Sequence, residues 1–235
     1  MKLALLGYGR MGKAIEQIAL QRGHQIVCKI DKDLKEGNIT EAAVAINFSV
    51  PQAAVENINL ALEHSIPVVC GTTGWLEHYD QVAQTAIDRH SAFLYASNFS
   101  IGVHLFFKLN EKLAKMMHSQ KDYTPTLEET HHLHKLDAPS GTAITLAEGI
   151  INNSDFENWT LANQEKKSPV SLSIQSIREG EVPGTHVVKY QSIIDEITIE
   201  HKAHNRKGFA LGAVIAAEWI YGKKGIFKMD NVLNL

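Results

Sequence analysis

A glycine-rich turn between a strand pattern and a helix pattern constrains this 235-residue chain more than any other feature. Residues 2–6 form a short apolar run typical of a buried strand, GYGRMG follows at 7–12, and helical periodicity continues to about residue 22. A second strand pattern closes on Asp31, nineteen residues after Gly12. Strand, GxGxxG turn, helix, strand and acid in this order are typical of a dinucleotide-binding βαβ unit.

Each glycine of this turn has a physical role. Gly7 permits the tight turn, Gly9 lets the backbone approach a pyrophosphate, and Gly12 lets the helix pack closely. The helix N-terminus supplies amide donors and the positive end of the helix dipole. A glycine-rich turn without a ligand is the plain alternative, but five elements in register favour dinucleotide binding.

The charged residues beside the turn leave the choice of cofactor open. Asp31 can accept hydrogen bonds from the ribose diol of NADH. Arg10 and Lys32 can pair with the 2′-phosphate of NADPH, which Asp31 would repel. We therefore predict that the cofactor is NADPH or NADH.

Up to about residue 97, short β-branched runs alternate with helical patterns. The predicted strands are 2–6, 25–30, 44–48, 67–70 and 93–96, and the predicted helices are 12–22, 51–64 and 76–90. This alternation predicts an α/β fold with a Rossmann-like, doubly wound parallel sheet, which binds ligands beyond the carboxyl ends of its strands. The residues that we predict to bind the cofactor there are Gly7, Gly9, Arg10, Met11, Gly12, Asp31, Lys32, Gly71, Thr72, Thr73, Ser97, Asn98 and Phe99.

After residue 100 the regular alternation of strand and helix patterns ends. The predicted elements are helix 102–118, strand 127–130, helix 142–151, a loop over 152–168, strands 171–177, 185–191 and 194–202, and helix 209–221. Consecutive strands predict an α+β domain with a mostly antiparallel sheet. We predict a dinucleotide-binding domain at 1–100, a substrate-binding and oligomerisation domain at 101–207, and a C-terminal helix and tail at 208–235 that packs back on the first domain.

Composition and charge exclude several classes of partner. With 23 basic and 26 acidic residues the net charge is −3, so we expect no nucleic-acid partner and no membrane partner. The N-terminal apolar run is too short for a secretory signal. Cys28 and Cys70 lie in strand patterns without CxxC spacing and are expected to be reduced core thiols. These features predict a cytoplasmic protein that acts on a small molecule.

The densest chemistry is HHLHKLDAPSGTA at residues 131–143. Its three histidines stand beside Lys135, with no cysteine or carboxylate at ligand spacing, so we predict no metal. A solvated polar loop is the plain alternative. Against it, Ser140, Gly141 and Thr142 precede a helix pattern and offer hydroxyls, amides and a dipole end that suit a carboxylate.

This segment resembles the signature of the dihydrodipicolinate reductase family. Further similar positions are GRMG at 9–12, GTTG at 71–74, NFSIGV at 98–103, REG at 178–180, PGTH at 183–186, HKA at 201–203, Arg206, and FA at 209–210. The resemblance thus spans residues 7 to about 210. It implies reduction of the cyclic imine dicarboxylate derived from 4-hydroxy-tetrahydrodipicolinate to tetrahydrodipicolinate with NAD(P)H, in lysine biosynthesis through diaminopimelate.

The resemblance also implies roles for individual residues. It assigns His131 and Lys135 to catalysis, with Lys135 as proton donor, and it assigns substrate binding to His132, Ser140, Gly141 and Thr142. Hydride arrival creates an anion that needs a nearby acid, and a dicarboxylate needs cations and amide donors, so these residue types fit. The family further implies a homotetramer built on the sheet of the second domain.

The sequence departs from the family pattern at Thr126, and two other functions are compatible with its first domain. Thr126 stands where the family usually has a glutamate, whereas Glu129 matches a second family glutamate. A redox-sensing regulator would bind the dinucleotide without turnover, but it is expected to show a DNA-reading helix or a basic face after residue 100, and neither is seen. An amino-acid or hydroxy-acid dehydrogenase would share the first domain but lack the block at 131–142.

Overall fold

The computed structural model describes residues 1–164, 168, 170–205 and 207–235. These residues form two compact units, one built from residues 1–101 and 207–235 and the other from the described residues between 102 and 206. Arg206, one position of the family resemblance, lies outside the described residues. None of the described helices is both long and apolar enough to span a membrane.

The elements follow one another in two groups. Up to residue 101 the chain forms β1 (Lys2–Leu6), α1 (Arg10–Gln21), β2 (Gln25–Asp31), β3 (Leu34–Gly37), β4 (Val44–Asn47), α2 (Pro51–Glu63), β5 (Val68–Cys70), α3 (Tyr79–Asp88) and β6 (Ala92–Tyr95). From there it forms α4 (Ile101–Met117), β7 (Thr124–His131), α5 (Gly141–Ile151), β8 (Asn158–Leu161), β9 (Ser171–Arg178), β10 (Thr185–Gln191), β11 (Glu196–Lys202), α6 (Lys207–Ile220), β12 (Gly225–Phe227) and α7 (Met229–Leu233).

The sheet of the first unit has the strand order β12-β6-β5-β4-β1-β2-β3. Its pairs are parallel except β2 with β3. The chain reverses its direction of winding between β1 and β4, which is the point where such sheets open a crevice for ligands. The predicted Rossmann-like fold is confirmed, and the two edge strands β3 and β12 are additions that the sequence pattern did not reveal.

Helices cover both faces of this sheet because successive strand residues point to opposite sides. Leu3 and Leu5 of β1 pack toward α1 and α6, whereas Ala4 and Leu6 pack toward α2. The small residues of α6 bring it close to the strands, and a Cβ on Gly212 would overlap the carbonyl oxygen of Phe99. Cys28 and Cys70 are both free and buried, as expected.

The sheet of the second unit has the order β11-β10-β7-β9-β8. Here β10 pairs antiparallel with β7 and β11, while β9 pairs parallel with β7 and β8. The α+β class is therefore confirmed, with parallel pairs at one edge. The loop predicted over 152–168 was wrong at β8, because a four-residue strand is too short to show an alternation of polar and apolar residues.

Candidate active site

The glycine turn of the first unit has the geometry that a pyrophosphate needs. Gly7 adopts a φ of +97°, and a Cβ at Gly12 would overlap the carbonyl oxygen of Gly7, so both positions need glycine. Gly9 caps the N-terminus of α1, and among the described residues no atom beyond its own chain neighbours lies within 4 Å of where its Cβ would stand. The space above the helix N-terminus is therefore open, and its amide donors fit a dinucleotide phosphate.

The charged residues predicted beside the turn lie at the same edge of the sheet. Asp31 ends β2, and its two carboxylate oxygens accept hydrogen bonds from the amides of Tyr8 at 2.7 Å and Lys32 at 2.8 Å. Arg10 begins α1 and is exposed, as is Lys32. The loops that follow β1 and β2 therefore carry an acid that suits a ribose diol and two cations that suit a 2′-phosphate.

A cleft of about 200 Å³ opens beside this turn in the first unit. Its lining is Met11, Phe48, Ser49, Pro51, Gly71, Thr72 and Thr73. Thr72 Oγ1 accepts a hydrogen bond from the Ser49 amide at 2.9 Å, which ties the ends of β4 and β5 together. The sequence analysis predicted Met11 and residues 71–73 of this lining. It missed Phe48, Ser49 and Pro51, which lie from the end of β4 to the start of α2.

The third predicted cofactor segment lies behind one wall of this cleft. Ser97 is exposed, and Asn98 Oδ1 accepts a hydrogen bond from the Ser100 amide at 2.8 Å. The side chain of Phe99 is buried, with its ring centroid 5.4 Å from that of Phe48. Phe99 thus supports Phe48, and through it the cleft.

In the second unit, the register of three strands gathers a buried cluster of polar residues. Glu129 lies opposite His186 on β10 and opposite Ser176 on β9, while His131 lies opposite Arg178. Residues directly opposite in a sheet point to the same side, so these five side chains converge. Glu129, His131 and His186 are 0%, 7% and 4% exposed.

Glu129 is the centre of this cluster. Its Oε1 accepts hydrogen bonds from the Ser140 amide at 3.0 Å, Ser176 Oγ at 2.8 Å and Arg178 Nη2 at 3.2 Å. Its Oε2 lies 3.1 Å from His131 Nδ1. Burial would raise the pKa of Glu129, but the hydrogen bonds to its ionised form outweigh burial and hold the pKa well below its usual range.

The predicted catalytic lysine lies in a loop that Arg178 holds. Arg178 donates to the carbonyl oxygens of Lys135 at 3.3 Å and Asp137 at 2.6 Å. Lys135 Nζ donates to both carboxylate oxygens of Asp137, at 2.8 and 2.9 Å. The loop is also anchored at its start, where the Glu179 amide donates to the carbonyl oxygen of His131 at 2.8 Å.

The predicted substrate-binding residues begin α5. Ser140 is the N-cap, and its Oγ accepts a hydrogen bond from the Ala143 amide at 3.2 Å and lies 3.2 Å from His186 Nε2. Gly141 is exposed, and no atom of the described chain outside its own helix and neighbours lies within 4 Å of where a Cβ would stand. Thr142 is half-buried beside it. The helix N-terminus is therefore open to a carboxylate.

His132 lies apart from the buried cluster, on the loop after β7. It is half-buried, its carbonyl oxygen accepts a hydrogen bond from the Lys135 amide at 3.1 Å, and its ring centroid lies 6.2 Å from that of His134. The structure thus brings His131 and Ser140 together around Glu129, and it joins Lys135 to them through the backbone contacts of Arg178.

Three of the clustered residues also have the spacing of a metal site. One ligand atom from each of Glu129, His131 and His186 lies within 4.8 Å of the others. The sequence predicted no metal because the ligands were sought within residues 131–135, whereas the fold adds His186 from β10. Glu129 Oε1 already accepts hydrogen bonds from the Arg178 guanidinium and two other donors. The positive charge of Arg178 would also repel a metal ion bound beside it. The expectation that this site binds no metal therefore stays a prediction.

The burial of His186 leads to a prediction about stability. Desolvation, and after it the neighbouring His131, lower the pKa of His186 to about 3. Below pH 6.5, the usual pKa of histidine, His186 takes up a proton in the unfolded chain but stays neutral in the folded chain. The contribution of His186 to the unfolding free energy is therefore present above pH 6.5 and is lost as the pH falls toward 3. We expect His186→Gln to flatten the fall in unfolding free energy between pH 6.5 and 4 by up to about 1.4 kcal/mol per pH unit.

Urea unfolding followed by circular dichroism at several pH values measures this slope. His64→Gln, which changes an exposed histidine at the end of α2, is the matched control and should leave the slope unchanged. Equal slopes for wild type and His186→Gln would show that His186 titrates normally in the folded protein.

The sequence analysis missed the roles of several residues in this cluster. It also singled out Thr126, which lies away from the cluster. Glu129, Arg178 and His186 were recognised only as family positions, although the alternation of residues along β7 already put Glu129 on the same side as His131. Thr126 is exposed and lies three residues from Glu129, hence on the opposite side of the strand. The glutamate that the family usually has at that position would not reach the cluster.

Comparisons with known proteins show similarity along nearly the whole chain. Residues 1–99 match the family model described as dihydrodipicolinate reductase, N-terminus, and residues 102–233 match the model of its C-terminus. A 4-hydroxy-tetrahydrodipicolinate reductase from Christiangramia forsetii is 52% identical over 237 residues, covering 100% of this chain and 98% of that protein. Another, from Methanoregula boonei, is 36% identical over 195 residues, covering 82% and 75%.

Solved structures share the fold. A dipicolinate-bound dihydrodipicolinate reductase from Paenisporosarcina sp. TG-14 superposes with a TM-score of 0.79 at 22% identity, covering 97% of each chain. A probable dehydrogenase from Thermotoga maritima superposes with a TM-score of 0.57 at 8% identity, covering 99% of this chain and 92% of that one. At these identities the likeness concerns the fold alone.

Proposed function

This chain belongs to the dihydrodipicolinate reductase family, and from that membership we propose which of its residues carry out the reaction. The reaction is reduction of the cyclic imine dicarboxylate derived from 4-hydroxy-tetrahydrodipicolinate, a step of lysine biosynthesis through diaminopimelate. The observation that carries the proposal is the pairing of a buried acid–histidine cluster with the open N-terminus of α5. Together they offer a carboxylate-binding end and a proton-handling end in one unit.

In the mechanism that we propose, the second unit binds and protonates the substrate. NADH or NADPH, the reductant of the family, supplies the hydride. The amides of Gly141 and Thr142, with the hydroxyls of Ser140 and Thr142, hold one carboxylate at the helix N-terminus. The ammonium of Lys135, released from Asp137, donates the proton that completes reduction, and His131, which lies beside Glu129, assists that transfer. His132 contributes a further contact to the dicarboxylate.

Purified enzyme tests this function directly. NADPH or NADH oxidation is followed with the freshly coupled product of pyruvate and aspartate semialdehyde, and in parallel without that product. We expect oxidation only in the complete mixture. Cofactor oxidation that does not depend on the coupled product would contradict the proposal and favour another dehydrogenase of the same fold.

The preference between the two cofactors gives a prediction about Asp31. We propose that its carboxylate faces the adenosine ribose, so Asp31→Asn should remove the repulsion of a 2′-phosphate. The asparagine retains an oxygen that can accept the Tyr8 amide, so the glycine turn should stay held. We expect the ratio of the Michaelis constants for NADPH and NADH to fall by about tenfold, or roughly 1.4 kcal/mol.

Asp33→Asn is the matched control, because Asp33 is an exposed acid two residues further along the same turn. Its ratio of Michaelis constants should equal that of wild type. The same ratio in Asp31→Asn and Asp33→Asn would mean that Asp31 does not face the ribose.

We also propose the wider organisation that the family suggests. Residues 1–100 bind the dinucleotide, residues 101–207 bind substrate and oligomerise, and the C-terminal helix and tail at 208–235 pack back on the first domain. The face of the second sheet that carries Thr126, Glu128 and Val187 is free of α4 and α5, which supports a homotetramer built on it. Light scattering after gel filtration tests this assembly. We further propose that the protein acts in the cytoplasm without nucleic-acid or membrane partners; its net charge of −3 supports the absence of such partners.

A further inference from the structure

We propose that Glu129 is a positioning residue that fixes His131 and the N-terminus of α5 in one arrangement, so that the two ends of the substrate are held at a set distance. This inference rests on the proposed function of the site. It adds a residue to which the sequence analysis assigned no role. Glu129 touches neither end of the substrate in this scheme, and it acts through the groups that it holds.

The burial of Glu129 shows that its surroundings were built for a carboxylate. Taking an ionised carboxylate out of water costs several kcal/mol unless hydrogen bonds replace its hydration. Glu129 is 0% exposed, and its Oε1 alone accepts from three donors. The donors come from two elements: Ser140 stands at the start of α5, and Ser176 and Arg178 lie two residues apart on β9.

The first group that Glu129 positions is the imidazole of His131. Oε2 lies 3.1 Å from Nδ1, close enough for an ion pair although not aligned as a full hydrogen bond. A carboxylate beside Nδ1 favours the proton on that nitrogen and leaves Nε2 as the free one. On the Nε2 side stands Gly184, where a Cβ would come within 3.0 Å of that nitrogen. The ring is therefore confined on both sides.

The second group is the start of α5. The Ser140 amide donates to Glu129, while the Ser140 side chain caps the helix by accepting from the Ala143 amide. Glu129 thus bonds to the residue that begins the proposed carboxylate-binding turn. The third link is Arg178, which joins Glu129 to the backbone of Lys135 and Asp137. One carboxylate connects the imidazole, the helix N-terminus and the lysine loop.

The test replaces Glu129 with Gln, which keeps the size of the side chain and one acceptor oxygen. Its amide group would donate toward His131 Nδ1 and so favour the opposite tautomer of the ring. We expect turnover to fall by at least about 100-fold, because a carboxylate-to-amide change that reverses a catalytic histidine tautomer has costs of this order. The Michaelis constant for NADH should change by less than about threefold, since Glu129 lies in the other unit.

Glu148→Gln is the matched control, because Glu148 is an exposed glutamate on α5 of the same unit and has no place in the proposed site. Its turnover should equal that of wild type. Glu129→Asp, which retains the charge but withdraws it by one methylene, should recover part of the turnover. A merely structural role would predict the opposite order, with Glu129→Gln closer to wild type than the shorter Asp.

A measurement independent of activity separates this proposal from the function on which it rests. Imidazole ¹⁵N NMR of uniformly labelled protein reports which ring nitrogen of His131 carries the proton, with the signals assigned by their loss in His131→Gln. We expect the Nδ1-protonated tautomer in wild type and the Nε2-protonated tautomer in Glu129→Gln. The same tautomer in both proteins would overturn the positioning role. Absence of turnover in wild type with the expected tautomers would overturn only the proposed reaction.

Discussion

Lys135→Ala is expected to lower turnover by about 10² to 10⁴, the range that general acid catalysis supplies. The expectation follows from the proposed role of its ammonium, which in this structure donates to Asp137 and lies 22% exposed at the edge of the site. Removing the proton donor affects the chemical step, so the Michaelis constants should change little. Steady-state kinetics with saturating cofactor, together with cofactor affinity from fluorescence titration, measure both quantities.

Two further variants make this result interpretable. Lys112→Ala removes an exposed lysine on α4 and should behave as wild type. The double variant of Lys135 and His131 should be little worse than Lys135→Ala alone, because residues that act as a unit do not add. Turnover by Lys135→Ala within about threefold of wild type would exclude the lysine as the general acid.

The second large effect that we expect concerns Gly212→Ala, far from the chemistry. The added Cβ would overlap the carbonyl oxygen of Phe99, and a backbone atom cannot swing aside as a side chain does. The helix α6 must then move away from the strands that it covers. We expect a loss of about 3 kcal/mol in unfolding free energy, equivalent to a fall in Tm of roughly 6–12 °C for a chain of this size.

Gly208→Ala is the control on the same helix. A Cβ there meets only Ser100 Oγ, at 3.6 Å, which is an ordinary van der Waals distance. Its Tm should be unchanged or slightly higher, because alanine favours the helical state more than glycine does. Scanning calorimetry measures the Tm of both variants. Equal melting temperatures would mean that the packing of α6 does not depend on the close approach of Gly212 to the Phe99 carbonyl.

The sequence predicted the first sheet well where its strands are buried and missed it where they are exposed. The ranges 2–6 and 44–48 were correct to within a residue, because a central parallel strand is a continuous apolar run. The edge strand Leu34–Gly37 reads LKEG, and three of its four residues are exposed. Nothing in such a segment separates a strand from a turn, since its stability comes from pairing with β2.

The candidate site was predictable to the extent that it is local in sequence. The block from His131 to Ser140 is contiguous, and a cap residue before a helix can be recognised without a structure. His186 is 55 residues from His131, and only the antiparallel register of β7 and β10 brings it opposite Glu129. A buried glutamate runs against the usual preference of that residue for solvent, so its role needed the contacts to be seen.

The position of α6 in the chain has a consequence for how the protein is made. The strands β1 to β6 leave the ribosome first, yet the helix that closes one face of their sheet is encoded after the whole second unit. At about 5–20 residues per second, translation of the 105 residues in between takes on the order of 5–20 s. Throughout that interval Leu3, Leu5 and Ile46 lack the cover of Ala213 and Ala217. We therefore expect the first unit to stay incompletely packed, with one apolar sheet face uncovered, until α6 has been synthesised.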